Sequence, residues 1–486
     1  MNKRLSFAVA MFIVFIAVVS LVFHYPVQII DALTLKPASG FEVKVHLWRI
    51  IFEPFLGHLL FLNRGIYAID EMLLSVWWVV IAFVVYTVYK WITEKDVVKR
   101  KKFLLSQFVN LPIVVGLWFT YFLVMIFLSA DLPANTIVNN AKNSVLVTTH
   151  SHSQFSHDGL IRQSGLWKWH KYNNFDAFFI TDHNNHAKTL DFVNAQRKGE
   201  FLADPLVMGG EEFSGTNHLS LLGLKSYEKT KGMTDSAVVA LVRAEGGAVI
   251  VNHWFDGEHK TLEYYRDLGV DGFEIENSAE NTSYDRKMYW KIRNFCEKNG
   301  LIMNGGLDFH GYGNVCSLWN AIEIPGWHNL SQDAKENAIL DVIKSRDQSK
   351  LKVLLYNDRP YYVEKNLFLM IPVHLFNYFR TLNFWQILSW ALWAFLFVFI
   401  KMKISECKKE KYLLKTDNMV ALLGVIGALF LLGLGLFYYG ETFRVAGSDN
   451  DIYIEYAEML FYFGGAFLIY AGIVTWFRFK KQNTGN

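Results

Sequence analysis

The sequence predicts an α/β domain inserted between two all-α transmembrane blocks that together hold about six helices. Hydrophobic residues make up 52% of the 486-residue chain and aromatic residues 16%, which is more than a soluble protein usually carries. The excess is concentrated in six uncharged apolar runs, three in each outer part of the chain. Between these two groups, short apolar runs alternate with helix-like stretches, which predicts a parallel α/β sheet.

The six apolar runs are each close to the roughly 20 residues that a helix needs to cross a bilayer. They cover residues 5–22, 72–89, 108–130, 384–400, 419–439 and 459–477. We therefore divide the chain into a membrane block at 1–130, a domain at 131–365 and a second membrane block at 366–486, with three transmembrane helices in each membrane block. The first run has the alternative of a cleaved signal peptide, because Lys3 and Arg4 precede it. No small-residue cleavage site follows this run, so we interpret it as an anchor.

Two further apolar segments, 50–62 and 367–379, are too short to span a bilayer. The first of them also contains Glu53 and His58. Helices that lie at the membrane surface fit both segments better than transmembrane helices do.

The charged loops predict how the helices are oriented, because cytoplasmic loops near a membrane are enriched in Lys and Arg. Basic clusters lie at the amino terminus and at 95–102, 401–415 and 478–481, whereas the loop 440–458 is acidic. All the basic clusters lie on the cytoplasmic side of the membrane if both termini are cytoplasmic. The sequence therefore predicts a multi-pass membrane protein whose central domain is extracytoplasmic.

The charge of the central segment disfavours a nucleic-acid partner. Residues 131–365 carry 25 Lys and Arg against 30 Asp and Glu, so the net charge of +3 comes from the predicted cytoplasmic loops. A nucleic-acid-binding domain requires a basic face, and we expect no nucleic acid binding. Cys296 and Cys316 fall in this segment and could form a disulfide, although we favour two free thiols. Cys407 falls in a predicted cytoplasmic loop.

Eleven of the fifteen histidines lie in the central segment, and most of the informative ones follow a short apolar run that predicts a buried strand. Five such runs precede polar residues: 144–149 precedes His150 and His152, 177–180 precedes Asp182 and His183, 206–208 precedes Glu211 and Glu212, 248–251 precedes Asn252 and His253, and 301–303 precedes Asp308 and His310. Polar side chains at the carboxyl ends of parallel strands meet at one end of a sheet or barrel. The pattern therefore predicts that these residues converge.

The spacing within two of these motifs favours metal binding. His150 and His152 are two residues apart, as are Asp308 and His310, so each pair faces one way on an extended strand. Neutral imidazoles and carboxylates are ligands for Zn²⁺, Mn²⁺ or Fe²⁺. A ligand set of this kind without a thiolate favours a catalytic site over a structural zinc site.

Five motifs, in order along the chain, resemble those of the PHP (polymerase and histidinol phosphatase) domain family. The segment 150–159 (HSHSQFSHDG) resembles the first motif, and 180–184 (ITDHN) resembles the second. The segments 210–223 (GEEFS, then HLSLLG), 251–253 (VNH) and 306–310 (GLDFH) are similar to the remaining three. The resemblance covers roughly half of the chain, and the apolar blocks lie outside it.

The resemblance implies a distorted TIM-like (β/α)7 barrel that binds two or three divalent metal ions, which would be Zn, Mn or Fe. Carried over by position, it implies nine metal ligands: His150, His152, Asp158, His183, Glu212, His218, His253, Asp308 and His310. Glu211 is the alternative to Glu212, which we prefer because the family's Gly-x-Glu-x-Ser spacing reaches it. Asp308 and His218 are also candidate catalytic residues that carry a proton.

Residues beside the motifs have weaker predictions attached. Asp182 and Asn252 are candidates to orient the imidazoles that bind metal. We expect structural or surface roles for the remaining histidines of the domain, which are His157, His170, His186, His259 and His328, with His157 and His186 nearest to the site. Three basic residues after the first motif could hold a phosphate, although we favour an exposed basic helix face: Arg162, Lys168 and Lys171.

These observations predict a membrane-anchored, metal-dependent phosphoesterase whose metal-activated water attacks a phosphate monoester or diester on the extracytoplasmic side. The expected partners are membrane lipid and a phosphoester substrate, lipid-linked or from the cell envelope. One alternative is a metal-dependent hydrolase of a carbamate, ester or amide. Another is a membrane metal sensor or transporter with a non-catalytic domain. The six apolar runs contain no Asp, Glu, Lys, Arg or His, which disfavours a transport path.

Overall fold

The chain folds as a mixed α/β protein in which a large sheet is joined to long apolar helices. The computed structural model describes residues 3–62, 69–131, 134–256, 260–278, 286–312, 316–359, 366–406, 416–445 and 450–483. Cys407 and His259 lie outside the described residues. The described strands are β1 (Gln28–Asp31), β2 (Lys36–Pro37), β3 (Phe41–Val45), β4 (Asn135–Asn139), β5 (Ser144–Thr148), β6 (Ala177–Ile180), β7 (Leu206–Ser214), β8 (His218–Leu222), β9 (Ala248–Val251), β10 (Gly272–Asn277), β11 (Ile302–Gly306), β12 (Leu318–Glu323) and β13 (Leu351–Asn357).

The helices fall into short ones around the sheet and longer ones in the outer parts of the chain. In chain order they are α1 (Lys3–Val22), α2 (Leu47–Ile51), α3 (Glu53–Leu62), α4 (Ile69–Thr93), α5 (Val97–Asp131), α6 (Gln163–Tyr172), α7 (Ala187–Arg197), α8 (Asp235–Ala244), α9 (Leu262–Leu268), α10 (Arg286–Asn299), α11 (Gln332–Ser345), α12 (Met370–Arg380), α13 (Phe384–Glu406), α14 (Thr416–Thr442) and α15 (Ile452–Asn483). Local signals set several boundaries. The Thr234 side chain accepts a hydrogen bond from the Ala237 amide at the start of α8, and Gly269, with φ of 88°, ends α9.

The five apolar runs that predicted strands form β5, β6, β7, β9 and β11. The main sheet has the order β11-β10-β9-β8-β7-β6-β5-β12-β13-β1-β2. Strands β5, β6 and β7 are parallel neighbours, as are β9, β10 and β11. The sheet is thus mixed, and the seven-stranded barrel stays a prediction.

Antiparallel strands correct the expectation of a wholly parallel sheet. Strand β8 pairs antiparallel with both β7 and β9, and Ser214 lies opposite His218 in the first of these pairs. Only three residues separate these two, and a parallel crossover needs a dozen or more. The short connection therefore forces a hairpin within the third motif.

The sheet also contains residues from the amino-terminal part of the chain. Strand β1 pairs antiparallel with β13, with Ile29 opposite Tyr356 and Ile30 opposite Leu355. Strand β2 extends this edge, and β3 pairs with β4 in a separate two-stranded sheet. Residues 28–45, which the sequence analysis left within the block 1–130, therefore pair with strands of the central domain.

Among the residues that the structure describes, five helices are long and apolar enough to cross a membrane, whereas the sequence predicted six. Their apolar segments are Leu73–Thr93, Val97–Met125, Phe384–Lys403, Asp417–Thr442 and Ile452–Lys480. The first predicted run also forms a helix, but its apolar part, Ser6–Val22, is shorter. The orientation of these helices in a membrane stays a prediction.

The two apolar groups, separate in sequence, pack against each other. The Phe12 ring of α1 contacts Phe379 of α12 and Trp390 of α13 edge-on, at centroid distances of 6.1 and 5.7 Å. Ile113 of α5 shares a buried core with Ala421 of α14 and with α15. The long helices are therefore assembled from both ends of the chain.

The two short apolar segments predicted to lie at a membrane surface form α2 and α3 in one case and α12 in the other. A buried polar contact joins them: the Tyr378 hydroxyl donates to Glu53 Oε1 over 2.9 Å, and Arg49 Nε lies 3.3 Å from Glu53 Oε2. Their position relative to a membrane stays a prediction. Cys296 and Cys316 are both free and buried, as the sequence analysis favoured.

Replacing Ile29 by Ala tests whether β1 is integral to the domain. Ile29 is 1% exposed and packs in a buried cluster with residues of β3, β4 and β5, so its truncation is expected to lower the free energy of unfolding by about 2–5 kcal/mol. Thermal unfolding of the purified full chain measures the effect. Lys36→Ala, on the exposed strand β2, is the control and should leave the midpoint nearly unchanged. Equal midpoints for the two variants would contradict this role of β1.

Candidate metal centre

The nine residues predicted as metal ligands converge at one end of the main sheet. Glu212 and His218 lie on β7 and β8, and the other seven follow β5, β6, β9 and β11, with Asp158 the farthest beyond its strand. Main-chain hydrogen bonds hold two of these segments together, from Asp308 N to His150 O over 2.9 Å and from His152 N to Phe309 O over 2.9 Å. The convergence that the motif pattern predicted is therefore present.

Two of the converging residues have an unusual backbone conformation. His253 has φ of 24° and Asp308 has φ of 50°, in the left-handed region that side chains other than glycine rarely adopt. Residues held in this way store local strain and are concentrated at functional sites. The backbone thus bends sharply at two points to direct these side chains into the cluster.

Glu212 lies at the centre of the cluster and is 1% exposed. Its Oε2 atom lies 3.1 Å from Nε2 of both His150 and His152 and 3.3 Å from Nε2 of His183. Its Oε1 atom lies 3.0 Å from His218 Nδ1 and 3.1 Å from His253 Nε2. One carboxylate thereby contacts five imidazole rings.

Glu211 is also buried, but its side chain points to the other face of β7. It contacts His186 Nδ1 and the Thr230 hydroxyl, away from the cluster. Successive residues of a strand face opposite sides, which is why neighbouring glutamates have different surroundings. The geometry thus places Glu212, the residue preferred from the sequence, among the predicted ligands.

Asp308 provides a second carboxylate on the same side as Glu212. Its Oδ1 atom lies 3.2 Å from His150 Nε2 and 3.1 Å from His152 Nε2. The two imidazole nitrogens are themselves only 3.0 Å apart. His150 and His152, spaced two residues apart, therefore point their Nε2 atoms at one position between two carboxylates.

Asp158 provides the third carboxylate. Its Oδ2 atom lies 2.9 Å from His310 Nε2 and 3.5 Å from His183 Nε2, and its Oδ1 atom accepts a hydrogen bond of 2.7 Å from the Ser156 hydroxyl. The His152 and His310 rings stack at a centroid distance of 4.1 Å. Asp158 is thus joined to the rest of the cluster through histidines.

The donor atoms form three overlapping groups in which all atoms lie within 4.8 Å of one another. The groups are His152, Asp158, His183 and His310; His150, His152, Glu212 and Asp308; and His183, Glu212 and His218. His253 is joined to these groups through Glu212. Each group mixes imidazole nitrogens with carboxylate oxygens, a donor set that suits Zn²⁺, Mn²⁺ or Fe²⁺. The residues present therefore fit divalent metal ions.

Burial and neighbouring negative charges have opposite effects on the pKa values of the histidines. Burial alone lowers the pKa of an imidazole, but contacts with Asp308 and Glu212 outweigh it and raise the pKa of His152 to about 10. The same balance, with Glu212 as the main partner, raises the pKa of His253 to about 9. Burial prevails at His183, where it lowers the pKa to about 4.

The carboxyl groups show the complementary effect. Burial favours their neutral form, yet His150 and His183 hold the pKa of Glu212 well below its ordinary value. Neighbouring histidines also lower the pKa of Asp158 and Asp308 despite burial. Three carboxyl groups with lowered pKa values therefore share a buried site with His152 and His253, whose pKa values are raised. A divalent cation would balance the charge of these carboxylates and displace protons from the imidazoles.

Glu274, which the sequence analysis missed, supports the cluster from β10. It is fully buried, and its Oε1 atom lies 2.9 Å from His150 Nδ1. Its Oε2 atom accepts hydrogen bonds of 3.0 Å from the His253 amide and from Asn277 Nδ2. A glutamate inside the apolar run at 272–275 is the sequence signal that could have identified it, because an unpaired buried carboxylate is costly.

Asp182 and Asn252 were predicted to orient imidazoles, and the structure gives them different partners. Asp182 accepts hydrogen bonds from the amide and the hydroxyl of Ser153, over 2.6 and 2.7 Å, and burial raises its pKa to about 6. Asn252 Nδ2 donates to Glu212 Oε1 over 2.9 Å and lies 3.5 Å from His150 Nε2. Asp182 thus holds the first motif's backbone, and Asn252 mainly holds the central carboxylate.

The other histidines and the basic residues lie as follows. His157 borders the cluster, 3.8 Å from Asp158 Oδ2, whereas His186 contacts Glu211 on the other side of β7. His170 is buried against Phe178, and His328 is exposed. Arg162 is paired with Glu441 of α14, Lys168 is exposed, and Lys171 lies over the Trp167 ring. The contacts of these three basic residues give no phosphate clamp.

Comparisons with known proteins give weak similarities. No family model matches the chain, and no curated protein matches it. Among solved structures, a two-domain protein from Bacteroides vulgatus containing a predicted PHP-like metal-dependent phosphoesterase is 16% identical, with 44% of this chain and 65% of that chain covered and a TM-score of 0.34. PsfC from Pseudomonas syringae is 18% identical; the match covers 43% of this chain and 98% of PsfC, with a TM-score of 0.30. An amidohydrolase from Chromobacterium violaceum is 13% identical; the match covers 44% of this chain and 98% of the amidohydrolase, with a TM-score of 0.29. Similarities at these TM-scores do not assign a family or an activity.

Proposed function

We propose that this protein is a membrane-anchored, metal-dependent phosphoesterase that hydrolyses a phosphate monoester or diester on the extracytoplasmic side. The observation that carries the proposal is the overlap of the three donor groups around shared side chains. His152, His183 and Glu212 each belong to two of the groups. Shared ligands hold metal ions close together, which is the arrangement of two-metal phosphoesterases.

The chain's own residues divide into metal ligands and groups near the opening. His150, His152, Glu212 and Asp308 would hold one ion, and His152, Asp158, His183 and His310 would hold another. Bound ions would polarise the phosphoryl oxygens and activate a water molecule for attack. His218 is the most exposed ligand candidate, at 34% of its side chain, and contacts Glu212. This placement suits a residue that carries a proton to or from a substrate.

The contacts of the site with the long helices favour a substrate at the membrane surface. Leu160 and Tyr312, each two residues from a predicted ligand, share a buried cluster with Tyr438 of α14 and Tyr453 of α15. These two helices are among those long enough to cross a membrane. The site thus lies beside the ends of these helices, where a lipid-linked or cell-envelope phosphoester would be presented.

The first test is metal content together with hydrolysis of a generic phosphate ester by the purified full chain. We expect two or three divalent ions in each chain and metal-dependent release of phosphate. A His150→Ala, His152→Ala double variant is expected to lose bound metal and at least about 100-fold in rate, because it removes ligands from both main groups. A chain that binds no metal would contradict the proposal, and hydrolysis of carboxylic esters or amides alone would indicate the alternative bond.

The neighbouring glutamates offer a matched pair of variants. Glu212→Gln is expected to lower metal affinity strongly, because it removes the charge that contacts five imidazoles, whereas Glu211→Gln should keep the metal content of the parent protein. Metal analysis and chelator competition on both variants measure the difference. Equal metal loss in the two variants would argue against Glu212 as the central ligand.

A membrane-held substrate is expected to be hydrolysed faster than a soluble one. With the protein in lipid vesicles, a phosphomonoester on a diacyl anchor should show a kcat/KM at least about 10-fold above that of the same ester on a water-soluble alcohol, because the membrane raises its local concentration at the site. Release of inorganic phosphate measures both reactions, with the double histidine variant as the blank. Equal kcat/KM values would exclude a preference for lipid-linked substrates.

A further inference from the structure

The segment that carries Asp158, residues 153–160, is held by a residue from outside the central domain. We call this segment the Asp158 loop. Asn450, which precedes α15, is 7% exposed, and its Nδ2 atom donates to the carbonyl oxygens of Gln154, Ser156 and Gly159 over 2.9, 2.6 and 3.0 Å. Three carbonyl groups of one loop therefore converge on a single amide nitrogen.

The same amide group is fixed at its other end. Asn450 Oδ1 accepts a hydrogen bond of 3.1 Å from the Ile452 amide in the first turn of α15. An asparagine at this position satisfies a helix donor that would otherwise have no partner within the helix. Asn450 thus joins the start of a long apolar helix directly to the backbone of the Asp158 loop.

The loop is tightly turned, which brings several of its carbonyl groups together, and within the loop Ser156 O accepts a long hydrogen bond of 3.4 Å from the Gly159 amide. Ser156 N donates to Ser153 O over 3.0 Å, and a Cβ atom at Gly159 would lie 1.9 Å from Ser153 O. Buried carbonyl oxygens that face one another need a donor between them. Asn450 supplies that donor.

A second contact with the long helices follows the loop. Arg162 Nε donates to Glu441 Oε2 over 2.9 Å, and Glu441 lies in the last turn of α14. Both helices of the α14–α15 hairpin therefore contact the chain within a few residues of Asp158.

The position of Ser156 transmits this support to the metal ligands. Its carbonyl oxygen accepts from Asn450, while its hydroxyl donates to Asp158 Oδ1 over 2.7 Å and lies 3.2 Å from His152 Nδ1. A shift of the Ser156 backbone would move the contacts of both ligands. Hydrogen-bonded partners of metal ligands typically contribute about 10- to 100-fold to metal affinity.

We propose that Asn450 is a positioning residue for the metal ion held by His152, Asp158, His183 and His310. The α14–α15 hairpin would thereby be a structural part of the metal centre as well as an anchor. This inference rests on the proposed function, because it presupposes that the cluster binds metal. It assigns Asn450 to one donor group; the group of His150, His152, Glu212 and Asp308 shares only His152 with that group and keeps its three other ligands.

The test is metal binding by the full chain carrying Asn450→Asp. This substitution keeps the volume and the oxygen that caps α15, but it places a carboxylate oxygen against three carbonyl groups. We expect the affinity of one bound ion to fall by about 10- to 100-fold, with the other ion retained. The added negative charge would by itself strengthen cation binding. Weaker binding would therefore show that the geometry of the ligands has changed.

Zn²⁺ counted in each purified chain and chelator competition measure the change. Asp158→Asn is the benchmark and should lose the same single ion, while Asp451→Asn, an exposed neighbour, should bind Zn²⁺ as the parent does. If Asn450→Asp is not recovered folded, Glu441→Gln removes the negative charge of the second contact and is expected to weaken binding of the same ion by about 10-fold.

The outcomes separate the two proposals. A parent chain without bound Zn²⁺ would overturn the metal centre itself. If folded Asn450→Asp binds the same number of Zn²⁺ ions with unchanged affinity, only the role of the hairpin is overturned. The same holds for folded Glu441→Gln if Asn450→Asp is not recovered. If Asn450→Asp loses one ion, as Asp158→Asn does, the role of the hairpin is supported.

Discussion

The burial of Glu212 among five imidazoles is the constraint on which the arrangement of the site depends. A carboxylate removed from water is costly unless it is paired with opposite charge and hydrogen-bond donors. The surrounding chain supplies those partners from several strand ends, and Asn252 adds an amide donor. The left-handed backbone at His253 and Asp308 also contributes to this pairing, because it directs their side chains towards the cluster at a local conformational cost.

The cluster extends from this centre to the long helices through hydrogen bonds and packing. Asp158 lies at the edge of the cluster, and its loop contacts Asn450, while Arg162 contacts Glu441. One edge of the sheet is completed by β1 and β2, which come from the amino-terminal part of the chain. A domain cut at 131–365 would lack both contributions. Stability and site geometry are therefore properties of the whole chain.

Local patterns predicted much of this protein. Uncharged runs indicated the long helices, and apolar runs followed by His, Asp or Glu indicated β5, β6, β7, β9 and β11. The first apolar run also forms a helix, and its described apolar part, Ser6–Val22, is shorter than the five other apolar segments. The Gly-x-Glu-x-Ser spacing favoured Glu212 over Glu211, and in the structure the two glutamates face opposite sides of β7 with different neighbours.

What the sequence by itself determined is a set of candidate metal ligands and the elements that carry them, because strand alternation and helix length depend on nearby residues. Only the tertiary structure decided the partners that lie far apart in sequence. Glu274 beside His150, β1 beside β13 and Asn450 beneath the Asp158 loop are examples. Such contacts depend on how whole elements pack. A short strand such as Gln28–Asp31, or a single asparagine before a helix, has no local pattern that specifies a distant partner.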